Sequence, residues 1–418
     1  MTDTPVLTTY RELLAAPGAR RLTAASLVSK FPVSMFPVTA VLLLSPRYSY
    51  AAAGAAVSAL LVATAVSNPL RARLLSRYSV SVVLRFCLVG YLTGLAGLAL
   101  SAAAHLPYVL VVLSAAVTGV CFPPVSMLLR GAWTAVAGAR RRSSSNSLEA
   151  ALMDVSLIAG PVLAAWLSTG ATPLLPFAVI GACMGAAVAL ILTARQKAPV
   201  RGGSGTGAGG GGRGRGRPVP LRSRSLAAVY GAQLLFCAAL SGVEVALPVF
   251  AQQHHAGGYS GWFLAALSVG SIVGALLLGA APTLDRGGLP VLLGTFVAGA
   301  CLLGLAMGAA PLAVLLVCPV TGLAVGSTFS RLYTVIAVCT PPGDENEAQG
   351  WAASMATVGF AVGSSAGAAL AGAHGAPAFL FFSPVAGAAA ALCALGARGG
   401  AALPVRPDGR SDAPTPSA

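Results

Sequence analysis

The chain has 418 residues, of which 56% are hydrophobic and only 9% are charged, and its mean hydropathy is +0.82. A soluble protein of this length needs a far more charged surface, so the composition excludes a soluble globular fold. The net charge of +15 does not indicate a nucleic-acid partner, because the basic residues lie in the gaps between apolar runs. The eight cysteines form no C-x-x-C pair, so neither a metal site nor a disulfide framework is expected.

Apolar segments of about 20 residues recur along the chain, and this is the length that crosses a bilayer as an α-helix. We predict twelve transmembrane helices, numbered as spans 1 to 12, with six on each side of a central polar segment. The predicted spans cover residues 22–44, 49–69, 82–104, 107–130, 147–168, 172–194, 226–250, 259–280, 288–309, 311–335, 349–371 and 376–397. The expected fold class is therefore an all-α membrane protein.

The central segment is rich in glycine and arginine and contains almost no large apolar residue. Such a composition cannot bury enough surface to order itself, so it predicts a flexible linker. The expected domains are an N-terminal six-helix bundle at 1–194, the linker at 195–225, a C-terminal six-helix bundle at 226–397 and a disordered tail at 398–418.

Basic residues cluster on one side of the predicted spans. They occur before span 1, between spans 2 and 3, between spans 4 and 5, in the linker and in the tail. The loops on the opposite side of the predicted spans contain one basic residue, Arg47. By the positive-inside rule, the linker and both termini should face the cytoplasm of a cell membrane. Interfacial aromatic rings fit the same topology. The tryptophans at predicted helix ends are Trp133, Trp166, Trp262 and Trp351.

The two halves repeat short patterns at an offset of about half the chain. Thr118-Gly119 in span 4 matches Thr321-Gly322 in span 10. Several such matches in one register indicate an internal structural repeat. The other matches are residues 150–153 with 352–355, and residues 36–38 with 247–249.

This arrangement resembles the major facilitator superfamily. The signature of that family, G-x-L-x-D-R-x-G-R-R, is degraded after span 2, where Arg77 is kept and Ser76 replaces the acid. The equivalent segment after span 8 keeps Asp285, Arg286 and Gly288. The resemblance implies two pseudo-symmetric bundles with a substrate path between them, and a loop motif that latches the cytoplasmic side.

Span 5 carries a second resemblance, to the drug exporters of that superfamily. Their glycine-studded fifth helix ends in G-P-x-x-G-G, and this chain keeps Gly160-Pro161 with small residues elsewhere in the motif. The resemblance implies an antiporter. A proline kink beside a small-residue packing face is an equally good explanation.

Ionisable residues inside membrane spans are costly and need a reason to stay. For Arg130 the favoured explanation is snorkelling to the headgroups, and for Glu149 it is a capping box that begins at Asn146. Asp154 and Glu244 have no such explanation, and we expect both to be functional. The transport and proton-coupling candidates are Lys30, Arg130, Glu149, Asp154, Glu244 and Arg331.

Lys30 and Asp154 lie at matched depth, about two turns into spans 1 and 5. The family resemblance places these spans side by side, so we predict that the two residues form an ion pair. Such a pair either changes during the transport cycle, coupling protonation to conformation, or only fixes helix packing.

The sequence therefore predicts a secondary active transporter for a small organic solute, most simply a proton-coupled exporter, with a proton-coupled importer as the alternative. We expect a monomer that needs only its substrate, protons and the bilayer, with no cofactor. An intramembrane serine hydrolase at Ser365, within a G-x-S-x-G pattern, is the enzyme alternative. We favour helix packing there, because Gly359, Gly363 and Gly367 form a continuous G-x-x-x-G ridge. A membrane sensor would need an appended soluble domain, and the sequence shows none.

Overall fold

A computed structural model of the chain describes residues 5–44, 48, 50–104, 107–137, 142–168, 174–197, 224–254, 260–280, 288–340, 344–374 and 384–395. All regular secondary structure in these ranges is α-helical. The helices are α1 (Pro5–Ala15), α2 (Ala19–Leu44), α3 (Tyr50–Arg77), α4 (Val80–Ala104), α5 (Tyr108–Val120), α6 (Val125–Ala137), α7 (Arg142–Ser168), α8 (Leu175–Lys197), α9 (Arg224–Gln253), α10 (Ser260–Ala280), α11 (Gly288–Met307), α12 (Pro311–Cys339), α13 (Glu345–His374) and α14 (Pro384–Leu395).

The helices match the predicted spans in order, which confirms the predicted fold class. Helices α2 to α4 are spans 1 to 3, α5 and α6 together are span 4, α7 and α8 are spans 5 and 6, and α9 to α14 are spans 7 to 12. Ten of the described stretches are long and apolar enough to cross a membrane. Their outer faces expose large apolar side chains such as Val66, Phe86 and Leu305, as lipid contact requires.

The structure corrects the helix prediction in two places. Helix α1 was not predicted, because it precedes the apolar runs. Span 4 was predicted as one helix but breaks between α5 and α6, at Cys121–Pro124. Pro123 and Pro124 lack the N–H groups that would continue the helix, and the second segment then extends past the predicted end at 130 to Ala137.

The internal repeat is visible as two equivalent sets of helix contacts. In the first half, a side chain added at Gly119 would collide with Leu60 of α3, and one at Gly94 of α4 would collide with Thr118. In the second half, Gly322 meets Leu267 of α10, and Gly299 of α11 meets Thr321. At each Thr-Gly pair the helix packs closely against two neighbouring helices. Both copies therefore need glycine at the contact.

Each half has its own hydrophobic core, one between Leu13 and Ile191 and the other between Leu226 and Ala394. The halves meet mainly where α3 packs on α13 and where α7 packs on α10 and α12. At one end of the molecule α3, α10 and α12 finish while α7 and α13 begin, and we call this the closed end.

Candidate functional site

A cavity of about 490 Å³ lies between the two halves. Its walls come from α2, α3, α4, the α5–α6 break, α6 and α7 of the first half and from α9, α10, α12 and α13 of the second. Most lining residues are apolar. Size and lining are typical of a small-molecule site with a few polar groups for orientation. The charged residues that line it are Lys30, Arg71, Arg130, Glu149, Asp154 and Glu244.

Lys30 pairs with Glu149 and not, as predicted, with Asp154. The Lys30 Nζ lies 2.6 Å from Oε2 of Glu149, and Trp133 Nε1 donates to Oε1 of the same carboxylate at 3.0 Å. All three side chains are buried. The ammonium and the indole thus satisfy both carboxylate oxygens, which is what a buried ion pair needs to persist.

Helix α7 explains why the role of Glu149 was mispredicted. The helix was expected to begin at 147, which would put Glu149 in a capping first turn, but it begins at Arg142. Glu149 therefore lies two turns inside the helix and faces α2 and α6. Trp133 was expected at a membrane interface and is instead buried in the protein, as the donor to Glu149.

Asp154 and Glu244 form the second polar group of the cavity. The Ser271 hydroxyl of α10 donates to Oδ2 of Asp154 at 2.6 Å, which joins α7 of the first half to the second half. Both carboxyl groups line the same cavity, Asp154 from α7 and Glu244 from α9. Among the described residues, no lysine or arginine forms an ion pair with either one.

Arg130 is not a snorkelling residue. Its guanidinium stacks on the ring of Tyr333, with Cζ 3.4 Å from the ring centroid, and Nη1 donates to Oε1 of Gln349 at 2.9 Å. Both partners belong to the second half, so Arg130 crosses from α6 to α12 and α13 beside the cavity. The prediction failed because α6 continues to Ala137, which leaves Arg130 in mid-helix and not at an inner end.

Arg71 was predicted to lie in a loop and is instead a buried residue of the cavity wall. Span 2 was predicted to end at residue 69, yet α3 continues through Pro69 to Arg77. The guanidinium donates to the carbonyl oxygens of Phe122 and Thr64 and to Oδ1 of Asn68.

The closed end is held together by polar contacts between the halves. On one side Ser144 of α7 donates to the carbonyl of Gly279 at 2.6 Å, and Ser147 lies 2.7 Å from Ser330 of α12. On the other side α3 meets α13, where Arg73 pairs with Glu347 at 3.0 Å. Further hydrogen bonds between the halves lie beside the cavity, from Ser271 to Asp154 and from Arg130 to Gln349.

Helix α1 adds to the closed end. The Tyr10 hydroxyl donates to the carbonyl of Leu276 in α10 at 3.1 Å, and a side chain at Gly279 would collide with both Tyr10 and Ser147. Burial raises the pKa of the Tyr10 phenol above its usual value, so the phenol remains a hydrogen-bond donor at neutral pH.

The remaining predicted site residues that the structure describes do not line the cavity. Arg77 is exposed at the end of α3, and Gly288 starts α11 with a φ of 64°, a conformation that favours glycine. Gly160 packs against Ser34 of α2, next to Pro161 inside α7. Arg331 of α12 is not among the residues that line the cavity. Asp285 and Arg286 lie outside the described residues.

The G-x-S-x-G pattern belongs to a helix contact. Side chains at Gly359 and Gly363 would collide with the backbone of α9 at Leu234 and Ala238. Ser365 is exposed on α13.

The comparisons with known proteins agree with this architecture. The family model described as Major Facilitator Superfamily matches residues 22–330. No curated protein sequence matches the chain. The chain therefore belongs to the major facilitator superfamily; it is a multi-pass membrane protein and a secondary transporter of small solutes.

Solved structures share the fold at low sequence identity. The human organic anion transporter MFSD10 (TETRAN) is 17% identical with a TM-score of 0.69, covering 92% of this chain and 99% of that one. A bacterial homologue of the iron transporter ferroportin, in an outward-facing state, is 13% identical with a TM-score of 0.71, covering 91% and 99%. The E. coli fucose:proton symporter FucP is 12% identical with a TM-score of 0.64, covering 90% and 97%.

Proposed function

We propose that the chain is a proton-coupled exporter of a small organic solute in the cytoplasmic membrane. The observation that carries the proposal is the pair Asp154 and Glu244, two carboxyl groups on a largely apolar cavity that no described lysine or arginine neutralises. Desolvation disfavours the charged form of a carboxyl group, so such groups take up a proton when the cavity closes and release it when water returns.

The contact to Ser271 gives protonation a route to conformation. Asp154 lies on α7 of the first half and accepts its hydrogen bond from α10 of the second half. A charge-assisted hydrogen bond is stronger than a neutral one, so loss of the charge on Asp154 weakens a link between the halves. Protonation then favours separation of α7 from α10, which opens the closed end.

The second proposal concerns orientation. The linker and both termini face the cytoplasm, which the asymmetry of arginine residues supports. In that orientation the closed end is cytoplasmic and the cavity is reached from outside. The boundaries of the two bundles, 1–194 and 226–397 with the linker between, belong to the same proposal.

Labelling with a membrane-impermeant maleimide on intact cells tests the orientation. We expect a cysteine at His254 to be labelled and one at Ser204 to remain unlabelled, each compared with the parent protein and its own eight cysteines. Labelling of the Ser204 variant from outside would show that the linker faces the exterior and would contradict the proposed orientation.

Everted membrane vesicles test the coupling. A compound panel is screened for accumulation driven by an acidic vesicle interior. Asp154→Asn is expected to abolish accumulation against a gradient while sparing exchange of substrate at equilibrium, because Asn still accepts from Ser271 but binds no proton. Glu244→Gln is compared in the same way, and Glu12→Gln, on the exposed face of α1, is the control.

Two results would overturn parts of the proposal. If both cavity variants accumulate substrate as well as the parent does, neither carboxyl group carries the coupling. If accumulation requires right-side-out vesicles with an outside-acid gradient, the protein is an importer. The choice of export over import depends on the resemblance at Gly160-Pro161 in α7. The second result would show that this resemblance does not indicate export.

A further inference from the structure

Arg71 is a cation buried in the cavity wall, and no carboxylate of the described residues forms an ion pair with it. Only 3% of the residue is exposed, and it lines the cavity. Its three described acceptors are two backbone carbonyl groups and the side-chain amide of Asn68. Its Nε–H has no acceptor among the described residues. A guanidinium stays protonated in proteins, so Arg71 keeps a full positive charge in this position.

The break between α5 and α6 explains how the protein tolerates this charge. The carbonyl of Phe122, exposed by the two following prolines, accepts from Arg71 Nη1. Carbonyl dipoles solvate a cation but do not neutralise it. A neutral donor such as glutamine would satisfy the same carbonyl group, so the helix break alone does not account for an arginine.

The distribution of charge in the cavity is uneven. The wall formed by α3, the α5–α6 break, α6 and α13 contributes Arg71 and Arg130 and, among the described residues that line the cavity, no carboxylate. The three cavity carboxylates belong to α7 and α9, and Glu149 is already paired with Lys30. One wall is therefore positive and the rest of the lining is mostly apolar.

We propose that Arg71 is the recognition site for an organic carboxylate, so that the transported solute is an amphipathic anion. Its acidic group binds at the Arg71 wall, and its apolar body lies against the aromatic and aliphatic lining of the cavity, Phe36 and Phe360 included. Guanidinium–carboxylate pairing in a poorly hydrated cavity provides the charge-assisted contact that such recognition needs. This inference deepens the proposed function and rests on it only in taking the cavity as the transport site.

Asn68→Asp is the sharpest test, because it neutralises Arg71 without removing it. The new carboxylate keeps the oxygen that accepts from Nη2, and Arg71 keeps its contact with Phe122, so the fold retains its hydrogen bonds. Arg71→Gln removes the charge directly. Arg73→Gln, two residues further on α3 and paired with Glu347 away from the cavity, is the matched control.

The assay is equilibrium binding to the purified full-length protein by isothermal titration, with no proton gradient. The probes are 2-naphthylacetate, indole-3-acetate and 4-phenylbutyrate, each paired with its neutral primary amide. We expect at least one acid to bind about tenfold or more tightly than its amide. Asn68→Asp and Arg71→Gln should lose this preference, and Arg73→Gln should keep it.

Four results would overturn the proposal. In the first, no acid binds; in the second, every amide binds as tightly as its acid. In the third, Asn68→Asp folds and retains the preference for the acid. In the fourth, chloride or phosphate alone displaces the probe at equal concentration, which would make the site one for inorganic anions.

Failure of the anion site and failure of proton coupling are distinguishable. Binding is measured without a gradient, so loss of coupling leaves the acid preference intact. Conversely, proton-driven transport of neutral compounds with no acid preference would overturn the role of Arg71 and leave the coupling proposal standing.

Discussion

The geometry of the ion pair between Lys30 and Glu149 predicts how much the loss of one partner lowers the free energy of unfolding. The side chains of Lys30 and Glu149 are only 7% and 4% exposed, and Nζ lies 2.6 Å from Oε2. The indole N–H of Trp133 donates a hydrogen bond to the other carboxylate oxygen. Lys30→Met leaves this carboxylate buried with one neutral donor. Removing one partner of a buried pair costs about 3–5 kcal/mol, which for a chain of this length corresponds to a fall of roughly 3–6 °C in apparent Tm.

Removal of both charges should recover most of that loss. In Lys30→Met combined with Glu149→Gln, neither charge of the pair remains, and replacement of a whole buried pair by neutral groups is often nearly neutral. The exchanged pair, Lys30→Glu with Glu149→Lys, should recover less, because the indole N–H of Trp133 would then face an ammonium group and lose its acceptor.

Thermal unfolding of the detergent-solubilised protein, followed by tryptophan fluorescence, measures these differences. Arg73→Met is the control, because it breaks the exposed pair with Glu347 and should cost less than about 1 kcal/mol. If Lys30→Met is as stable as the parent, the expected loss is refuted. If the losses of Lys30→Met and Glu149→Gln, each measured alone, simply add in the double variant, the pair contributes no coupling energy. A purely structural pair further predicts that the double variant still transports.

Two further predictions concern helix contacts. Gly279→Leu should push Tyr10 away and favour opening of the closed end, measured as faster hydrogen–deuterium exchange at that end. The control is Gly261→Leu on the same helix, where an added side chain contacts nothing. Equal exchange in the two variants would show that the contact of Tyr10 with α10 does not hold the end closed. Gly160→Ala should destabilise the packing of α7 on α2 by about 1–3 kcal/mol, measured as a lower Tm, whereas Gly185→Ala in open space on α8 should not; an unchanged Tm for the first variant would contradict the contact.

The sequence alone determined the class of the protein and its internal repeat. A bilayer forces each spanning segment to be long, apolar and helical, so each span can be recognised from its own residues. The repeat was visible in Thr118-Gly119 and Thr321-Gly322, because a helix that approaches its neighbours at backbone distance admits only a small residue at the contact. The superfamily followed from these features despite its degraded signature motif.

Only the tertiary structure decided which charged groups meet. Lys30 pairs with Glu149 and not with Asp154, although the two acids lie on the same helix and both line the cavity. Sequence spacing gives the depth of a residue, but the partner depends on how each helix is rotated and where it begins. Arg71 shows the same limit: Asn68-Pro69 is a helix-ending signal in water, yet in a packed membrane helix neighbouring groups satisfy the freed carbonyls, so the helix continues and carries the arginine into the cavity wall.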